Sequence, residues 1–505
     1  MWRSTISRPG SSARSATSSA RNQHRRLRRA WLARVVALSA VGCSGGGSPG
    51  QAPLAGYDLI LVVVDTLRAD HLGAYGYDRV TSPTIDRLAR EGVVFDAAVS
   101  TSSYTRESVA SLLSGRFPWR SGSVGWFARP NLKGPHLGGI FRRAGYRTGF
   151  FSNTVQLRAP GFTRGFDQIQ HLPTRWDTSG EGPKLSARAL NFVKASFGKP
   201  VFLYLHYLDP HAPYRAAPQR KPRFTPAPFE RPLAIHEDVV PGIGRLVRSG
   251  FGPGDPRFDD LVARYDAEIA ATDEALAALL RGLERLGRRE RTLLVLTSDH
   301  GEEFLEHGFV EHSWTVYQES IHVPLIFWAD GALAPARVAE RVSLVDVLPS
   351  ILGLVGVESD APDGLVDGVS LFEPGSGRPR AVSRPHFAEL LVAERNAVRA
   401  VILDDWKYMA YHRWSEPEAR HDLEPIPVDL SSLPLREELY HLAEDPGELR
   451  DRSSEFPERV ESFRAMLRKY TESAGPWMAP AGQPATPIPP QMRERLEALG
   501  YSQDE

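Results

Sequence analysis

The chain has 505 residues, 61 basic and 61 acidic side chains, a formal net charge of zero and one cysteine. This length is ample for one large α/β domain and a smaller companion. The balanced charge excludes a general electrostatic pull toward nucleic acid, and a lone cysteine excludes an internal disulfide.

Basic character is concentrated at the start, where residues 1–30 include Arg14, Arg21, Arg25, Arg26, Arg28 and Arg29 and no acid. An apolar stretch from Trp31 to Val41 follows, then Gly42 and Cys43. This order reads as a secretory signal over residues 1–43, and Ala40-Val41-Gly42-Cys43 resembles a bacterial lipobox. Cleavage before Cys43 and acylation of its thiol predict a protein exported across the inner membrane and lipid-anchored at the cell envelope, with residues 44–55 as a flexible tether. The apolar run is too short to span a bilayer.

Residues 58–64, DLILVVV, predict a central strand buried on both faces that halts at Asp65. Open parallel sheets bind ligands at the carboxyl ends of such strands, so Asp65 is a candidate metal ligand, with capping of the next turn as the alternative. A Ser/Thr-rich loop then leads into a short helix, Glu107 to Leu113, stopped by Ser114-Gly115. Thr105 falls at or near its N-cap, where backbone amides and the helix dipole favour an anion. Strands follow near 148–152 and 201–206, with a helix over 184–196 between them. Residues 215–256, rich in Pro, Arg and Gly, predict a lid or substrate wall. A long amphipathic helix over 259–287 presents Leu261, Ile269, Leu276, Leu279 and Leu283 and reads as scaffold.

The apolar run Leu293 to Leu296 repeats the first pattern, ending in Ser298-Asp299-His300-Gly301. A carboxylate beside an imidazole suits a divalent cation. Oxygen ligands favour calcium or magnesium, and the imidazole leaves zinc or manganese open. The alternative is that Asp299 caps a helix begun by Glu302 and Glu303. A strand at 323–328 and a helix at 343–356 complete an α/β alternation, which predicts a mainly parallel central sheet sandwiched by helices. Residues 379–475 predict a smaller C-terminal α+β domain with an antiparallel sheet and a last helix over 456–471, and 476–505 a loose tail.

Taken together, residues 56 to 475 resemble the sulfatases of the alkaline phosphatase superfamily. The resemblance rests on Asp65, SVASLLSGRFPWRSG after the nucleophile position, AGYRTGFFSN (144–153), FLYLHYLDPHAPY (202–214), SDHGEEFLEHG, YQESIHVPLIFW and ELYHLAEDPGELRDRS (438–453). It implies an alkaline phosphatase/sulfatase-like catalytic domain over residues 56–378, with one divalent metal held by Asp65, Asp299 and His300 and with Thr105 at the nucleophile position, also touching the metal. It further implies that His211 contacts the transferred group or leaving oxygen and that His312 faces the leaving oxygen, a duty that suits an imidazole.

The departures are equally informative. Active sulfatases carry Cys or Ser at the nucleophile position, with Pro two residues on and Arg four on; here stand Thr105, Glu107 and Val109. A threonine cannot become formylglycine, so no such cofactor is expected. Where sulfatases usually have Gly-Lys this chain has Ser152-Asn153, so Asn153, with Arg106, is the expected substrate-binding group. The expected activity is hydrolysis of sulfuric or phosphoric esters, with a phosphodiesterase or phosphoglycerol-transferase chemistry as alternative. A degenerate relative that only binds an anionic glycan or lipid headgroup is the non-enzymatic alternative. The expected substrate is a small-molecule, glycan or lipid-headgroup ester.

Overall fold

The computed structural model describes residues 52–123, 134–172, 180–215, 224, 233–235, 239, 242–359, 365–391, 397–412 and 434–474. The expected signal and lipobox, most of the tether, half of the lid, and the tail from 475 lie outside these residues.

In chain order the strands of the large sheet and its hairpin are β1 (Asp58–Val64), β2 (Val93–Val99), β3 (Arg147–Ser152), β4 (Gln168–His171), β5 (Val201–Tyr207), β6 (Thr292–Thr297), β7 (Glu303–Phe304), β8 (Val310–Glu311), β9 (His322–Ala329) and β10 (Ala336–Ser343). Eight of them form one sheet in the order β10-β2-β9-β6-β1-β5-β3-β4, while β7 and β8 pair separately. Only β9 runs against its neighbours, so the sheet is mainly parallel as expected. β1 is buried throughout because it serves two layers. Leu59, Leu61 and Val63 join the core on one face, and Ile60, Val62 and Val64 the core on the other.

The register brings the carboxyl ends of three central strands level. Val63 pairs with His206 on β5 and with Thr297 on β6. The 30-residue helix Pro256–Arg285 begins at Asp255, whose side chain accepts from Arg257 N, with Pro256 at its first turn. It packs through Ala275, Leu276 and Leu279 with Leu185 and Ala189 of helix Gly182–Lys194.

The smaller sheet, β11 (His386–Leu390), β12 (Ala397–Leu403), β13 (Trp406–His412) and β14 (Arg436–His441), is antiparallel. Alternation along β12 decides its two faces. Val401 meets Val460, Phe463 and Leu467 of the last helix, Pro457–Ala474, while Val398, Ala400 and Ile402 meet Tyr104, Val316, Tyr317 and Ile321 of the large domain's loops. A buried ion pair locks this second contact. Lys407 Nζ lies 2.7 Å from Glu448 Oε1 and donates to Val316 O at 2.6 Å. Glu448 Oε2 accepts from Gln318 N at 2.6 Å.

Removing one partner of a fully buried pair leaves an uncompensated charge. Lys407→Ala is therefore expected to lower the unfolding free energy by about 3 kcal/mol or more. Urea denaturation measures it, and an unchanged midpoint would contradict the account.

Candidate active site

The site begins where β1 stops. Thr66, the residue after Asp65, has φ 56°, a left-handed conformation that a β-branched residue adopts only under constraint. Three contacts supply that constraint. Thr66 N donates to Asp299 Oδ1 at 3.3 Å, and Tyr265 of the long helix donates to Thr66 O at 2.6 Å while accepting from Arg68 N at 3.0 Å. The long helix, read from sequence as scaffold alone, thus also braces the site loop.

Asp299 is held by the serine-rich segment. Ser108 Oγ donates to its carbonyl at 2.6 Å, and Ser100 Oγ donates to the same oxygen. No helix follows it: residues 299–302 are irregular and Glu303 opens β7, so the expectation of Asp299 as a helix cap is corrected. Helix Thr105–Ser114 starts two residues earlier than expected, with Tyr104 as N-cap and Thr105 as the first helical residue. Thr105 is fully buried there, its Oγ1 3.1 Å from His300 Nε2.

His300 Nδ1 lies 2.9 Å from Gly301 O. A carbonyl only accepts, so Nδ1 carries the proton and the Nε2 lone pair faces Thr105 and the carboxylates. Nε2 is 3.9 Å from Asp65 Oδ1 and 3.5 Å from Asp299 Oδ2. Those two oxygens are buried and find no hydrogen-bond partner among the described residues.

The paired acids titrate in opposite directions. Burial works against the Asp65 anion, yet the His206 hydrogen bond and the imidazoles of His211, His206 and His300 hold it below the usual carboxylate range. Burial and the Asp65 charge together push Asp299 up. Two buried carboxylates with unengaged oxygens and a facing imidazole lone pair fit a divalent cation.

One member was missed from the sequence. The ligand atoms of Asp65, His206 and Asp299 lie within 4.8 Å of one another. His206 stands in the quoted FLYLHYLDPHAPY segment, and its signal was an imidazole in the middle of an otherwise apolar, fully buried strand. The expected ligand set of Asp65, Asp299 and His300 therefore has a second imidazole beside it.

His211 and His312 do converge on this edge. The His312 ring lies 4.5 Å from that of His300 and 4.8 Å from that of His211. His211 Nδ1 is 2.7 Å from Ala212 O, which leaves Nε2 as its working nitrogen. His312 Nδ1 is 2.8 Å from Glu302 Oε1. Burial, with Glu311 adding like charge, pushes Glu302 well above the carboxylate range. The two expected substrate-binding residues each make a bracing contact. Asn153 Oδ1 accepts from Leu208 N at 2.8 Å; Arg106 donates to Gln156 O at 2.7 Å and lies over the Phe162 ring at 5.3 Å. Both hold the loops that carry Thr105 and His211.

A mixed, mostly parallel sheet with acids and imidazoles gathered at its carboxyl edge is the alkaline phosphatase-like architecture. The chain belongs to the sulfatase family, whose sequence profile matches residues 58–357, and is a sulfatase-like enzyme. Among curated relatives, an ulvan-active sulfatase of Formosa agariphila is 27% identical over 63% of this chain and 64% of its own length, so the match spans less than two thirds of that relative. A multifunctional alkaline phosphatase superfamily protein of Trinickia caryophylli is 25% identical over 83% of this chain and 95% of its own. Among solved structures, one holding its substrate D-glucosamine-2-N,6-O-disulfate superposes with a TM-score of 0.65 at 18% identity, covering 83% of this chain and 99% of that one. The phosphonate monoester hydrolase of Agrobacterium radiobacter gives 0.62 at 19% identity, covering 83% and 96%.

The cradle predicts stoichiometric metal. Native mass spectrometry should find about one divalent cation per chain, since buried oxygens and an imidazole converge on one point. Asp299→Asn should release it. Wild type and variant found equally metal-free would contradict the site.

Proposed function

We propose that the protein transfers or hydrolyses a phosphoryl-type ester through Thr105, with sulfate-ester cleavage as the competing reaction. The observation that carries this is the Thr105 hydroxyl, fully buried on the first turn of its helix and 3.1 Å from His300 Nε2. A divalent cation held by Asp65, Asp299 and His300 would supply positive charge that makes the hydroxyl a better nucleophile and offsets charge on the transferred group.

The chain's own groups account for the remainder. Thr105 reacts as its alkoxide, the hydroxyl proton having passed to solvent before substrate binds: Oγ1 attacks the phosphorus as the bond from phosphorus to the ester oxygen breaks, and the amides at the start of its helix face the anionic oxygens. The ester oxygen leaves as an alcohol by taking a proton from His312, whose orientation Glu302 maintains, with His211 beside it. A water or acceptor alcohol then displaces Thr105, returning a proton to the same imidazole. This second displacement is what separates the reading from sulfatases with formylglycine, where the hydrate expels sulfate by collapsing to the aldehyde. A threonine ester has no such exit, which favours phosphorus over sulfur.

The relatives support an ester substrate in a small molecule or glycan: an ulvan-active sulfatase and a structure holding disulfated glucosamine on one side, a phosphonate monoester hydrolase on the other. Thr105→Ala should lower turnover of the preferred ester by at least about 10³-fold while metal binding and fold persist. Nitrophenyl sulfate, phosphate and phosphodiester assays, with mass spectrometry for a Thr105 adduct, test it. Robust sulfatase activity surviving the substitution overturns the mechanism, and inertness toward every ester favours a binding-only protein.

We also propose export and lipid anchoring through Cys43. The basic, apolar, small-residue and cysteine order supports it. Metabolic labelling with a lipid precursor should mark the wild-type chain and not Cys43→Ala. An unlabelled wild type in a lipoprotein-competent host would refute the anchor.

A further inference from the structure

Each metal-site carboxylate has one oxygen already engaged. Asp299 Oδ1 accepts from the backbone amides of Thr66 and His300 at 3.3 and 3.1 Å. Asp65 Oδ2 lies 3.0 Å from His206 Nε2. The oxygens without partners among the described residues are the other two, Asp65 Oδ1 and Asp299 Oδ2, and of each carboxylate this is the oxygen nearer His300 Nε2. His206 thus meets the engaged oxygen of Asp65 and not the unengaged one. Its second nitrogen is also occupied, with Nδ1 2.9 Å from the Tyr204 hydroxyl. Tyr204 and His206 are both fully buried and, two residues apart on β5, project from the same face of the sheet.

An ionised carboxylate only accepts hydrogen bonds, so His206 Nε2 carries a hydrogen toward Asp65. A nitrogen donating in that direction has no lone pair there for a cation. We propose that His206 is a positioning residue and not a metal ligand: Tyr204, His206 and Asp65 form a buried relay that turns the free oxygen of Asp65 toward Asp299 Oδ2, His300 Nε2 and Thr105 Oγ1. The inference rests on the metal-centred reading and goes beyond it, because it sets the number of imidazoles touching the cation at one, His300, even though His206 lies within 4.8 Å of both carboxylates. Its physical purpose is preorganisation: without the His206 donor, Asp65 gains a second free oxygen and loses its fixed orientation.

Mn²⁺ bound to the full chain is the probe. Electron spin-echo envelope modulation counts imidazole nitrogens coordinated to the ion, and the wild type should show one, lost in His300→Gln. In His206→Leu the nitrogen should persist while the Mn²⁺ Kd weakens about 10–100-fold, the usual effect of removing an outer partner. His206→Gln places an amide N–H where Nε2–H stands and should recover most of that affinity; Tyr204→Phe should keep the nitrogen count at one. Two coordinated nitrogens in the wild type, one vanishing in His206→Gln, would overturn the relay while leaving the metal site intact. A folded wild type that takes up no Mn²⁺ would overturn both. The wild-type count needs no variant, so a misfolded substitution cannot leave the question open.

Discussion

Two like charges, Asp65 and Asp299, are buried at the ends of adjacent strands, and most of the site exists to make that arrangement stable. In water their repulsion would be small; in a low-dielectric interior it is severe unless a cation, a proton or hydrogen bonds intervene. The surroundings supply all that a protein can. Imidazoles of His206, His211 and His300 favour the Asp65 anion. Backbone amides donate to one oxygen of Asp299, and serine hydroxyls donate to its carbonyl. The oxygens still unengaged mark where a cation belongs.

This constraint propagates outward through the backbone. Thr66 takes an unfavourable conformation so that its amide reaches Asp299, and the Tyr265 hydroxyl, 199 residues away in sequence, holds it there. The loop from Glu302 to Ile321, which carries His312, is clamped from the far side by the smaller sheet through Lys407 and Glu448. The C-terminal sheet is therefore part of the catalytic support. Its apolar inner face packs on Tyr104, the residue that caps the helix of Thr105.

Membership of the sulfatase family and the threonine at the nucleophile position pull the chemistry in different directions. Arg106 and Asn153 each hold a loop contact, Arg106 with Gln156 O and Asn153 with Leu208 N. Charge on the transferred group would rest on the helix amides, the cation and the two imidazoles. In the reaction proposed above, this suits a direct displacement at phosphorus better than recognition tuned to sulfate.

Strong local patterns made the fold legible. Uninterrupted apolar runs at 59–64 and 293–296 marked central strands, and the acids that follow them belong at the sheet's carboxyl edge. Motif order pointed to Thr105, His211, Asp299, His300 and His312 because each lies at the end of an element or in a loop next to one. What the chain order could not reveal was pairing between distant residues. His206 sits inside a strand, where an imidazole has no local reason to be read as part of a site; only the β1–β5 register brings it level with Val63 and onto Asp65. Glu302 read as a helix start becomes the partner of His312 once β7 and β8 fold the loop back. Sequence by itself determined which strands are central and which side chains end them, since burial follows from local hydrophobicity. Tertiary structure alone decided which oxygen each carboxylate leaves free, because that depends on hydrogen bonds between residues more than a hundred positions apart.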